Sequence, residues 1–238
     1  MTDRLERPAL PARDAPPRDG NPPSAWREAA RALLRARWAP GGSRAREQSA
    51  PGDNYFERAT CVSFQMDGVP LTPAEYRQAL SSRAGRACRS RSAQRARNHV
   101  AILRRIESLL WHGRPLHPRD VIRWYTSIAC GISAGAIADG TQSRIEQIVS
   151  SVNSPRLRFW PAVQEVAALH VSLLADPFVP GFNGIVSRLL LRYHMGRCGL
   201  PPVVFDPGRD TETLTSVSKL EPRLLELIVQ SYDGAENR

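Results

Sequence analysis

The stretch ADPFVPGFNGIVSRLLLRYHMGRCGLPPVVF, residues 175–205, decides how this chain is read. It joins the end of one apolar helical pattern, VQEVAALHVSLLA from Val163, to a second, GIVSRLLLRYHMGRC, through a loop of Pro, Gly and Asn. Gly199 and then Pro201-Pro202 stop the second helix, since glycine takes the left-handed cap and proline cannot continue the turn. A glycine-bearing loop that feeds a helix N-terminus leaves backbone N–H groups free and adds the positive end of the helix dipole. Together these hold a phosphate or carboxylate. Gly181, Asn183 and Gly184 would form that nest, with Arg188 one turn along as its clamp. The same spelling also describes a tight turn with no ligand.

Working outward, the pattern is mostly helical. LTPAEYRQAL opens with a capping box, Thr72 as N-cap, Pro73 at the first position and Glu75 three residues on. A longer helix is expected from about Ser92 to Trp111, with Ile102, Ile106, Leu109 and Leu110 inward. His117-Pro118 starts another through Val121, Ile122, Tyr125 and Ile128, and EPRLLELIVQSY makes the last. Within 135–155 the β-branched run IEQIVSSV is expected to form a short β-hairpin flap. Trp124, Tyr125, Phe159 and Trp160 flank it, as core or as the wall of a cleft. Upstream, Ser24 caps a helix over SAWREAARALLRARW, with Trp26, Ala30, Leu33 and Leu34 on one face, and 39–54 is a loop. Residues 1–23 hold six of the twenty prolines and read as a disordered tail.

The 238 residues carry a net charge of +10, and of 33 basic residues only Lys219 is a lysine. Between Arg83 and Arg105 lie eight arginines and no acid, which is either a solvated helix face or a patch for anions or nucleic acid. Cysteines at 61, 88, 130 and 198 form no CxxC pair, so neither a disulfide scaffold nor a metal site is expected. No apolar run approaches about 18 residues, and MTDRLERPAL has no apolar signal segment. The expectation is a soluble cytoplasmic protein without membrane partners.

Segment 175–205 resembles the core of the Fic (filamentation induced by cAMP) proteins, whose motif reads HPFx(D/E)GNGRxxR and is followed by a helix ending near GxPP. Asp176-Pro177-Phe178 stands at the His-Pro-Phe position. Gly181, Asn183, Gly184 and Arg188 match if Phe182 is one inserted residue, and Gly199, Pro201 and Pro202 match the ending. Asn98, in ARNHVAI, is similar to an asparagine inside a family helix. SFQMDGVPLTPAE resembles the family's inhibitory-helix signature, (S/T)xxxE(G/N) then LT, with Ser63, Asp67 and Gly68 in those places. The resemblance implies an all-α Fic-type core over 55–238, preceded by an N-terminal helix and linker at 24–54. It further implies that Asp67 pairs with Arg188, although aspartate is one methylene shorter than the family's glutamate.

The departures bear on activity. In the family the motif histidine is the base, the following acid holds Mg²⁺ and two arginines grip the nucleotide phosphates. This sequence has Asp176, Pro180 and Ile185 at three of those four positions. An aspartate near its usual pKa of about 3.9 is a poor base for an alcohol. Nucleotide with Mg²⁺ is therefore not expected in the usual Fic manner. Of the histidines at 99, 112, 117, 170 and 194, His170 lies nearest the motif, as packing or as a substitute base. The leading expectation is a degenerate, repurposed transferase-like enzyme, with Asp176 and Arg188 catalytic. It would act on a small acyl- or phosphate-bearing substrate, for example in specialised biosynthesis. The alternatives are a catalytically inactive binding or regulatory protein and a nucleic-acid-binding module using Arg83–Arg105. The expected partner is an anionic or phosphate-bearing small molecule, with a homodimer left open.

Overall fold

The computed structural model describes residues 53–81, 90–130, 139–154, 159–179 and 181–236. The Pro-rich tail and the expected helix over 24–38 lie outside them, as do most of the 39–54 loop and Pro180. The described residues are helical: α1 (Asp53–Met66), α2 (Pro73–Ser81), α3 (Arg91–Trp111), α4 (Pro118–Ala129), α5 (Asp139–Asn153), α6 (Phe159–Ala175), α7 (Asn183–Arg197), the single turn α8 (Pro207–Asp210), a 3₁₀ turn (Thr213–Thr215) and α9 (Val217–Glu236). None of these helices is long and apolar enough to cross a membrane.

Helix starts follow the caps in the sequence. Glu75 Oε2 accepts from the Thr72 N–H at 2.8 Å, and the Glu75 N–H returns a bond to Thr72 Oγ1 at 3.2 Å, closing the capping box of α2. Ser90 caps α3, and His117 with Asp120 caps α4 ahead of Pro118.

Helix α7 is the axis of the fold. It is buried on almost every side, its polar residues Ser187, Arg192 and His194 included, so it runs through the middle. Ile185, Val186, Leu189, Leu190, Tyr193 and Met195 are all buried. It packs against α1, α3, α4, α5 and α6. One core lies among α1–α5 and α7; a second joins α6, the end of α7, the 198–205 segment and α9. The Tyr193 hydroxyl ties the layers together, accepting from the Leu116 N–H at 2.9 Å and bonding to Asn153 Oδ1 at 2.9 Å.

The hairpin expected within 135–155 is replaced by helix α5 over its described part, 139–153; residues 131–138 lie outside the described residues. Ile145, Ile148, Val149 and Val152 fall at i, i+3, i+4 and i+7 and all are buried. That helical spacing buries the branched residues on one face, which outweighs their modest preference for strands. Trp124 and Tyr125 are core side chains rather than a cleft wall.

Candidate functional site

The site forms where the C-terminal end of α1 meets the N-terminus of α7. Helix α1 is ended by Gly68, whose left-handed φ of +71° lets the chain reverse while the Val69 N–H bonds back to the Phe64 carbonyl at 2.9 Å. Asp67, on that turn, projects onto α7. Its Oδ2 accepts from the Ile185 N–H at 3.1 Å, and its Oδ1 pairs with Arg188 Nη2. Arg188 is held twice more, Nε donating to Ser63 Oγ at 2.9 Å and Nη2 to the Ser63 carbonyl at 2.6 Å. One methylene fewer than glutamate therefore does not keep Asp67 from its arginine.

Close approach explains how the shorter side chain reaches. A Cβ on Gly184 would sit 2.3 Å from Asp67 Oδ1, so only glycine leaves room for the carboxylate against the helix end. The ion pair is sequestered, with the Arg188 and Asp67 side chains 10% and 12% exposed. Burial pulls the Arg188 pKa below its ordinary value, and the neighbouring carboxylate opposes that shift. Breaking a buried pair by removing one member costs about 3–5 kcal/mol, because the survivor is left uncompensated. The N-terminus of α7 thus has an acceptor from its own chain.

The remaining loop residues hold the backbone. Asn183 Oδ1 accepts from the Phe178 N–H at 3.1 Å and its amide donates to the Leu173 carbonyl at 2.6 Å, so it staples the loop to the end of α6. Gly181 has φ +76°. Phe182 is buried, with the Arg95 guanidinium 4.8 Å from its ring centroid, so it packs the loop against α3. Asn98 donates to the Ser127 carbonyl at 2.6 Å, joining α3 to α4.

Just past α6, Asp176 pairs with Arg144 of α5 at 3.0 Å, and its side chain is 74% exposed. The structure therefore brings Ser63, Asp67, Gly184 and Arg188 together. Asp176 has its ion-pair partner on a different helix, α5. His170 is buried and stacked on Phe205 at 6.4 Å between centroids; burial, then Arg188, pushes its pKa down to about 3.

The arginine-rich stretch does not make one basic face along the described part of α3. Arg95 is buried over Phe182, Arg97 donates to the Ala79 carbonyl, and Arg104 pairs with Asp53 at 3.5 Å. Arg83, Arg86 and Arg89 lie outside the described residues.

Three partnerships went unread in the sequence: Arg192 with Glu107 at 2.6 Å, His99 with Thr60 at 3.0 Å, and Tyr55 beside Arg192. The available signal was Arg188 and Arg192, two arginines at i and i+4 inside an otherwise apolar helix. Spacing of that kind puts both on one face.

In this arrangement the Ile185 N–H and the Arg188 guanidinium are both engaged by Asp67, and the Ile185 side chain lies in the core.

No family model matches the sequence, and no curated protein matches it. Solved structures do. A fragment of Fic-1 from C. elegans superposes with a TM-score of 0.66 at 18% identity, covering 88% of this chain and 71% of that one. A glutamate-to-glycine variant of that fragment gives 0.63 at 17% identity, covering 88% and 72%. Built around α7, with α1 laid across its N-terminus, this chain has the all-α Fic fold.

Proposed function

We propose that this protein is a Fic-fold binding or regulatory protein and does not transfer AMP from Mg·ATP. One observation carries the reading: the nest and its arginine are both engaged by Asp67. A phosphate at this position would have to expel a buried carboxylate and then work without the arginine that Ile185 replaces. An acidic group of a partner, which brings one negative charge in exchange for one, is the better-matched visitor.

Labelled ATP with Mg²⁺ gives no protein-bound AMP in the wild type or in Asp176→His, because Pro180 and Ile185 remain. Titration with inorganic phosphate gives no binding heat for the wild type and measurable binding for Asp67→Ala, which vacates the nest. Labelling by the wild type that is lost in Asp176→Ala refutes the proposal.

A second reading, a repurposed enzyme acting on a small acyl- or phosphate-bearing substrate, is supported by the exposed Asp176 carboxylate beside Arg144. It requires turnover that falls by orders of magnitude in both Asp176→Asn and Arg188→Ala while folding is retained.

A further inference from the structure

Charge is divided unevenly along this chain. Residues 91–130, which hold α3 and α4, carry eight arginines and two acids, whereas residues 205–236 carry three basic residues and seven acids. Both acids of the first set are engaged. Glu107 pairs with Arg192, and Asp120 is buried and accepts from the His117 N–H at 3.1 Å. Arg95, Arg97 and Arg104 have contacts within the fold. Arg105, Arg114, Arg119 and Arg123 are exposed and have no side-chain partner among the described residues. We propose that these four arginines and Trp111 bind single-stranded nucleic acid at the closed end of the α3–α4 pair, the arginines on phosphates and the indole on a base.

The fold gathers them. Helices α3 and α4 pack together and are joined by residues 112–117 alone, so they run antiparallel. The Asn98 bond to the Ser127 carbonyl fixes their register. Seven residues along α3 and seven back along α4 lead to Arg105 and Asp120, which sets Arg105 level with the stretch that carries Arg119 and Arg123. The free cations therefore lie across two helices rather than along one. Arg119 and Arg123 stand at i and i+4, about 6 Å apart along the axis. Exposed helix faces normally mix signs, and like charges at that spacing repel. A phosphate chain removes the repulsion.

Trp111 ends α3, and Arg114 follows in the turn. The indole is 69% exposed, whereas Trp124 is 3% exposed. A ring held in water beside cations is a platform for a base, and stacking of this kind tolerates any sequence. A membrane surface would instead take an apolar face of several side chains. Trp111 has no such companion one turn back on α3, where Glu107 and Ser108 stand. None of these residues takes part in the Asp67 contact, so the inference is independent of the reading of the nest.

The test is fluorescence anisotropy of the full chain with labelled single strands of DNA and of RNA, each of about 12 nucleotides, at several salt concentrations. At least one strand binds. Four phosphate contacts give a slope of about −3 in log affinity against log salt, a loss of roughly fiftyfold between about 50 and 200 mM. Trp111→Ala weakens binding about tenfold and leaves that slope unchanged, whereas Arg123→Ala reduces it by about 0.7. Circular dichroism and Tm show both variants folded, since both side chains are exposed. Absence of binding by either strand at about 50 mM salt overturns the proposal, as does a Trp111→Ala variant of unchanged affinity. A duplex of the same sequence bound as tightly as the single strand also overturns it. So does binding that survives Arg105→Ala, Arg119→Ala and Arg123→Ala together, which places it elsewhere on this arginine-rich chain. Polyglutamate bound as tightly as the strand assigns the surface to an acidic protein, and phosphatidylserine vesicles bound as tightly assign it to a membrane; either result overturns the proposal.

Discussion

Gly184 and Asp67 form a pair whose substitutions should reverse each other's sign. Asp67→Ala removes the carboxylate from a nearly buried arginine and from the Ile185 N–H. The uncompensated charge sets the scale at about 3 kcal/mol of lost stability, with Ser63 still holding part of the guanidinium. In a domain of this size that lowers Tm by roughly 6–12 °C. Gly184→Ala in the wild type puts a methyl 2.3 Å from Asp67 Oδ1, so the carboxylate must withdraw and about 2 kcal/mol is lost through overlap and a stretched ion pair. In the Asp67→Ala background the obstruction is gone, and the nearest remaining group is the mobile end of Arg188 at 3.1 Å. The same Gly184→Ala change then stabilises by about 0.5–1 kcal/mol, the ordinary helix preference for alanine. The expected coupling between the sites is therefore about 2.5–3 kcal/mol. Urea unfolding followed by fluorescence of the buried Trp124 measures all four corners, and an unchanged m-value validates the comparison. Additivity within about 0.5 kcal/mol would show that Asp67 does not occupy the helix end, and the account of the nest would fall with it.

Acid sensitivity follows from three buried histidines, His99 and His170 pushed down to about 3 and His194 to about 4, burial being the main cause in each. Below about pH 6.5 the unfolded chain takes up protons that the folded one refuses, so stability is complete above that pH and falls as acid is added. Each histidine contributes about 1.4 kcal/mol per pH unit until its folded pKa is reached. Unfolding followed by circular dichroism should have a midpoint near pH 4–5, and His170→Phe, which can keep a ring against Phe205, should lower it; a midpoint unmoved by that change refutes the assignment. Asn183→Ala leaves the Phe178 N–H and the Leu173 carbonyl without their partner and costs about 2 kcal/mol, read by urea unfolding. Tyr193→Phe removes the hydroxyl shared by Leu116 and Asn153 and costs about 1–2 kcal/mol by the same assay.

Local chemistry was legible in the sequence wherever neighbours in the chain complete a device. Thr72 with Glu75, His117 with Pro118, and Gly199 ahead of two prolines each mark a helix boundary that the structure has. Helix α5 was misread because IEQIVSSV is judged differently by composition and by spacing. Val149 and Val152 favour a strand as residue types, yet their spacing from Ile145 and Ile148 matches a helical face. The i, i+4 spacing of Arg188 and Arg192 marks a polar face, but Glu107 as the partner of Arg192, 85 residues away, and Thr60 as that of His99, 39 away, leave no trace in the sequence, since only the packing of α1, α3 and α7 creates them. Asp176 was read from its position in a motif, whereas its ion pair with Arg144, on another helix, arises only from the way the fold brings α5 to the end of α6.

The Asp67 contact also shows how charge is balanced where α1 meets α7. The positive charge there comes from Arg188 and the backbone N–H groups of the helix N-terminus. A single carboxylate balances it. The shorter acid fits because Gly184 has no side chain and because the Ile185 N–H stands where the carboxylate's second oxygen arrives. Asp67 and the α7 N-terminus are therefore matched: one carboxylate set against one guanidinium and the Ile185 N–H gives a site that is electrically closed at rest. Removing the balancing charge alone should open it, so Asp67→Asn, which keeps the shape but leaves Arg188 uncompensated, should bind inorganic phosphate where the wild type does not. If that variant binds no more phosphate than the wild type, charge balance is not what closes the site.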